Sequence, residues 1–366
     1  MPLPHPALRF RGSSVLPELV EGKQLYLSLW NPSPSSSTER TALSCTIAKA
    51  FRPFTISPVF LVSIVAPPIT TRDNGRVPIP TSVVLKLYDR RCLSNVRGEW
   101  DERRPWSLEK EHAYRQYLDG VAAGTVTRRG DSDFDDVRFL WDNDVSDGEF
   151  EAYLRHDARK AFDAERATYR RLQPLQGTKI PKVYGVVEYE AVIPGAHPDG
   201  SAVTETIPGL LLEYVPSLTL RELIATWTAR DPPLPNRILA TLCEKAVQVV
   251  DRVSDFDVLN EDVRMDNLLV RQPFLASSSS SLGDLGDRDQ YLTVVEDAVV
   301  LIDLGHCRFR REDESEEEWI RAKYYQDETG AAGFVALGLV GKFVGGDVWA
   351  YERSSRYYYP SVVSAE

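Results

Sequence analysis

Five short runs rich in β-branched and aromatic residues, "ALSCTIAKAF", "SPVFLVSIVA", "SVVLKLYD", "KIPKVYGVVEYEAVI" and "GLLLEYVP", all lie before residue 217. After that point the apolar spacing turns helical: Leu239, Leu242, Ala246, Val249 and Val253 make one stripe over 236–254. This segregation predicts an α+β chain of two parts, a five-stranded antiparallel sheet with one helix followed by a mainly helical part. "NPSPSSSTER" (31–40) reads as a linker, so 1–40 is expected to be an extension and the folded body to start near Thr41. The first part then runs over 41–212, with a long insertion at about 93–150, and the second over 213–366. "SLTLREL" is expected to open a helix with Ser217 as its cap.

Four polar positions interrupt these apolar patterns. Lys86 sits in "VVLKLY", where an ammonium on a mostly buried strand needs an anionic partner or ligand. Glu165 falls on the inward stripe of Ala161, Thr168 and Leu172, with Glu151 or Glu111 as alternatives if the helix is displaced within the insertion. Asp262 and Asn267 stand five apart in "VLNEDVRMDNLLV", ahead of an apolar strand, and Asp303 ends another in "VVLIDLG". Read singly, each has a bland explanation: turn chemistry, a snorkelling lysine or a strand-end cap. Together they are the set that phosphoryl transfer from ATP requires. A lysine held by a carboxylate places the phosphates, a loop carboxylate orients the attacking hydroxyl, and an amide with a second carboxylate holds magnesium.

In that order the chain resembles the protein kinase fold. "VVLK" is similar to the strand lysine motif, "EDVRMDN" to the catalytic loop and "DLG" to the metal-binding D-F-G, over about residues 41 to 311. The flavour is that of divergent fungal kinase-like proteins. The resemblance implies a two-lobed kinase-like fold with a truncated helical lobe that takes ATP and Mg2+. It implies Asp262 as the residue orienting the acceptor hydroxyl, Lys86 and Glu165 on the phosphates, Arg264 on the γ-phosphate, Asn267 and Asp303 on the metal, and backbone groups of Glu213 to Val215 at the adenine.

The departures are specific. Asn260 and Glu261 stand where the family has histidine and arginine, the turn "FRPFTIS" holds no glycine, and no A-P-E follows "DLG" before the chain ends at Glu366. A Ser/Thr protein acceptor is the expectation. A pseudokinase scaffold and a small-molecule kinase, similar in its truncation to the aminoglycoside or choline kinases, are the alternatives.

A net charge of −11 argues against general affinity for nucleic acid or anionic membrane, and no apolar run reaches the ~20 residues that span a bilayer. The four cysteines are scattered with no CxxC pair, which fits a reducing, cytoplasmic or nuclear compartment. The acidic run 131–151 and the tract "ASSSSSLGDLGDRDQ" read as solvated segments, and "REDESEEEWIRAKYYQDETG" as a charged amphipathic helix.

Overall fold

The structure, a computed structural model, describes residues 16, 18–30, 40–54, 57–66, 78–93, 97, 105–127, 134, 145–231, 234–272 and 297–357. Of the expected extension, residues 1–15, 17 and 31–39 lie outside them, as do most of the acidic run as far as residue 144 and the serine-rich tract.

Two compact units make up the chain, one from Met1–Phe162 with Val183–Tyr214, the other from Asp163–Lys182 with Val215–Glu366. In the first unit, β1 (Gln24–Trp30), β2 (Arg40–Phe51), β3 (Val59–Ala66), β4 (Ser82–Leu87), β5 (Val183–Ile193) and β6 (Val203–Glu213) form a closed antiparallel barrel in the order β1-β2-β3-β4-β6-β5. The open five-stranded sheet of a two-lobed kinase-like fold is thereby corrected. The sixth strand, "QLYLSLW", lies inside the segment taken as an extension. It pairs with β2 from Gln24↔Thr46 to Trp30↔Arg40 and with β5 from Leu27↔Tyr189 to Trp30↔Val186, which joins the two edges that an open sheet would expose.

Closure follows from the alternation. Leu25, Leu27 and Leu29 of β1 bury the same face as Leu43, Cys45 and Ile47 of β2, Phe60, Val62 and Ile64 of β3, Leu85 and Leu87 of β4, and Val187 and Tyr189 of β5. At Gly209 of β6 a Cβ would meet the Lys86 carbonyl oxygen at 2.7 Å, so only glycine lets these two strands approach so closely.

Helix α1 (Leu108–Ala122), capped by the Ser107 side chain, and the start of α2 (Asp147–Arg171) also belong to this unit. Here the long insertion is held by a buried ionic cluster. Arg90, fully buried after β4, donates to Glu111 and Glu151 at 2.6 Å and to Glu205 at 3.0 Å. Arg97 grips both oxygens of Glu151 at 2.7 Å, and Arg115 bonds Glu111 and Glu205. Burial would raise the pKa of Glu111 and Glu205, but the charges and hydrogen bonds of their neighbours, Arg90 foremost, together outweigh it and hold both below the usual carboxylate range.

In the second unit, β7 (Ser217–Thr219) leads into α3 (Leu220–Ala225), and α4 (Asn236–Ser254) carries the expected apolar stripe inward. Ser217 is in a strand, not at a helix cap. Thr219 caps α3, with Glu222 completing a reciprocal capping box. The strands β8 (Val258–Asn260), β9 (Leu268–Arg271), β10 (Val299–Leu301) and β11 (Cys307–Phe309) form two small sheets, β10-β9-β7 and β11-β8. The charged segment expected as one helix is two. In α5 (Glu316–Gln326) Ser315 and Glu318 form a capping box, and Asp327 in the left-handed region separates it from the apolar α6 (Glu328–Phe343). Among the described residues no helix is long and apolar enough to cross a membrane.

Candidate functional site

Two antiparallel ladders set the site in the second unit. β8 pairs with β11 and β9 with β10, so the chain between β8 and β9 (261–267) and the chain between β10 and β11 (302–306) are held side by side. The ladder bonds continue into both connections. The Glu261 amide donates to the His306 carbonyl at 3.1 Å, and the Ile302 amide to the Asn267 carbonyl at 2.8 Å. Asp262 and Asn267 from one connection and Asp303 from the other are therefore brought together, although the sequence separates the last two by 36 positions.

Side chains fix the first connection from within. Asn260 accepts the Asp262 amide at 2.9 Å through its side chain, an Asx turn that aims the Asp262 carboxylate out of the strand. Asn267 closes a 3-10 turn over Met265–Asn267, and its Nδ2 donates to the Asp262 carbonyl at 3.1 Å. The amide nitrogen is thus committed, and the carbonyl oxygen Oδ1 is the atom it offers. Val263 and Met265 point inward and anchor the turn, while Asp262 is partly buried and Arg264 exposed.

Arg264 donates from Nε and Nη2 to the two carboxylate oxygens of Asp262. This hydrogen bonding holds the guanidinium above its ordinary pKa, with Asp303 and Asp266 adding to it. Asp266 in turn pairs with Arg221 of α3 at 2.9 Å. Asp303 has φ +62, a left-handed conformation that aspartate tolerates better than most residues and that is kept only where its surroundings enforce it. Enforcement comes from both sides: Ile302 is bonded to Asn267, and the Leu304 amide reaches the Glu165 carboxylate at 3.4 Å.

Glu165 lies fully buried on α2. Its alternatives, Glu111 and Glu151, are both engaged by arginines in the other unit. Lys86 belongs to that other unit. It is buried on β4, opposite Val59 and Leu210, with Nζ 5.7 Å from the Tyr88 ring centre. Glu213 ends β6 opposite Val83, and the Val215 carbonyl is taken by the Ser217 hydroxyl at 2.8 Å.

The donor set suits a hard cation. The paired connections carry one carboxylate, Asp303, and one amide oxygen, Asn267 Oδ1, on adjacent stretches of backbone, and among the described residues no three His, Cys, Asp or Glu side chains converge on a point. Such a pair matches magnesium, which binds through one or two protein oxygens and fills its octahedron from water and substrate phosphate.

Spacing did not reveal Lys323, Glu328 and Ser254, buried residues beneath β8. In "WIRAKYYQDETG" the lysine and glutamate look like any surface charges of an amphipathic helix, and the only hint is that Glu328 opens an apolar one. No protein-family model and no curated protein matches the chain.

Proposed function

We propose that the chain is a phosphotransferase that uses Mg-ATP to phosphorylate a hydroxyl group, with the reaction centred on Asp262. The observation that carries this reading is the apposition of the 261–267 and 302–306 connections, which assembles a partly buried carboxylate, a cation and a pair of hard oxygen donors. Bound magnesium and ATP would supply the transferable γ-phosphoryl group and an ion to offset the charge that develops on it. Asn267 Oδ1 and the Asp303 carboxylate are the residues to hold the ion. Asp262 is the residue to accept the acceptor's hydroxyl proton, and the Asx turn on Asn260 keeps its carboxylate oriented. Arg264 is the group to move from Asp262 onto phosphate oxygens, for which a guanidinium fork is well matched.

A second reading, a catalytically silent nucleotide-binding scaffold, is favoured by one feature: both oxygens of Asp262 are occupied by Arg264. Two measurements decide. Labelled ATP with protein extracts and with a panel of small hydroxyl compounds should yield a labelled product that Asp262→Asn cannot make. Millimolar ATP should also raise the melting temperature only when magnesium is present, because a ligand at a hundredfold excess over Kd stabilises the native state by about 2.7 kcal/mol. A magnesium-dependent shift without labelled product leaves the scaffold; no shift and no product removes both readings.

A further inference from the structure

The three-residue strand β8 feeds Asp262, and among the described residues one of its edges is paired with another strand, β11. Along that edge Leu259 lies opposite Arg308 of β11, and the bonding continues through the Glu261 amide. The intervening residues turn their polar groups the other way, as strand geometry requires. On this second edge stand two side chains. Lys323 Nζ, from the end of α5, donates to the Val258 carbonyl. Glu328 Oε1, from the first turn of α6, accepts the Asn260 amide at 2.7 Å. Lys323 and Glu328 are joined to each other at 2.6 Å, and both bond the Ser254 hydroxyl at the end of α4.

We propose that Lys323 and Glu328 together act as a side-chain strand that completes the second edge of β8, and that they are the positioning residues of the Asp262 loop. One side chain supplies the donor and the other the acceptor that a neighbouring strand would offer to Val258 and Asn260. The arrangement is fully internal: Val258, Asn260 and Lys323 are at most 1 % exposed and Glu328 is 4 % exposed. Losing the pair would therefore orphan a buried carbonyl and a buried amide with no water to replace it.

Transmission to the site runs through Asn260. Its side-chain Nδ2 is buried with no hydrogen-bond partner, so this side chain is steadied from its backbone and from the one bond that Oδ1 takes from the Asp262 amide. Whatever fixes the Asn260 amide fixes the Asx turn, and with it the carboxylate. The electrostatics agree. Burial lowers the pKa of Lys323 and raises that of Glu328, and each is opposed by the charge of the other, so the ion pair depends on both members being present.

The role in catalysis rests on the reading of Asp262 above; the role in holding the loop does not, and the test separates them. Amide hydrogen exchange over 258–262 would be compared with exchange in barrel strand β3, together with kcat and KM for ATP, in Lys323→Met, Lys323→Met/Glu328→Gln and Glu328→Asp. Lys323→Met should speed exchange at 258–262 by about tenfold and leave β3 unchanged, as expected for one lost buried hydrogen bond. Turnover should fall about as much, with KM for ATP within about twofold, because positioning and not binding is lost. The double variant should recover part of both, since Met beside Gln buries no charge and the Gln carbonyl can still accept from Asn260. Glu328→Asp, which keeps the charge but shortens the reach, serves if Lys323→Met does not fold, and it should speed exchange at Asn260 in particular. Exchange at 258–262 that stays at the wild-type rate, or rises only in step with β3, overturns the proposal. If the wild-type protein transfers no phosphate while the loop responds as described, the positioning pair stands and the Asp262 reading fails.

Discussion

Asn267 lies directly opposite Ile302, whose amide donates to the Asn267 carbonyl at 2.8 Å, one step beyond the last β9–β10 pair, Leu268↔Leu301. That bond places the next residue, Asp303, beside the asparagine and leaves it in the left-handed region at φ +62. Backbone pairing brings the two residues together.

Replacing Asp303 should therefore have two separable effects. Asp303→Asn keeps a side chain that tolerates the left-handed conformation and removes the charge, so magnesium dependence of the ATP-induced thermal shift should be lost with little change in stability. Asp303→Ala should lose the same dependence and a further ~1 kcal/mol of stability, because alanine carries the steric cost of a left-handed residue without a local hydrogen bond to offset it. Chemical denaturation of the two variants side by side measures the difference.

At Asp262 the expectation is loss of chemistry without loss of structure. Its carboxylate pairs with the exposed Arg264, so Asp262→Asn should leave the urea midpoint within error of wild type while transfer falls by about a hundredfold or more. Unchanged turnover would remove Asp262 from the reaction.

The ionic cluster of the first unit should be far more sensitive than pairs on the surface. Glu151 accepts from both Arg90 and Arg97 in a fully buried setting. Glu151→Ala leaves two guanidinium groups short of a counter-charge and should cost about 3–5 kcal/mol. Arg252→Ala removes an ion pair with Asp255 in which the arginine is 62 % exposed and should change stability by less than ~0.5 kcal/mol. Equal losses in the two variants would contradict the assignment.

Acid should release the same cluster. Glu111 and Glu205 are held below their ordinary pKa in the folded state, so the unfolded chain binds protons first as pH falls. Their contribution to stability is complete above the unfolded carboxylate value, near 4.5, and is lost as pH drops through the lower folded values. Hydrogen exchange or limited proteolysis of α1 should show it loosening below about pH 4, and the loosening should start at higher pH in Arg90→Met. A pH response in which α1 is most labile near neutrality would reverse the sign and refute it.

How much of this could be read from the chain depended on distance along it. The strand runs at 42–51, 57–66 and 82–89, the stripe of α4 and the inward face carrying Glu165 were legible, because alternation and helical period record which face a residue turns inward. The connection around Asp262 was legible as a loop between a helix and an apolar strand. "QLYLSLW" has the same alternation as its partners, but the proline- and serine-rich stretch after it disguised it as an extension. Likewise Ser217 looked like a cap, since nothing local says that its backbone pairs with Arg271.

By itself, then, the sequence determined the local alphabet of this protein: which segments are strands or helices, which faces are apolar, and which polar residues stand where burial makes them costly. The tertiary structure alone decided the partners. Arg90 meets Glu205 across 115 positions, Glu165 reaches the amide after Asp303 across 139, and Lys323 and Glu328 come up beneath a strand more than 60 residues earlier. Hydrophobic periodicity is a property of neighbours in the chain, whereas the pairing of buried charges and the closing of a barrel depend on which surfaces meet once it is folded. A carboxylate in a sequence has the same appearance whether it will face water, an arginine or the amide that orients another carboxylate.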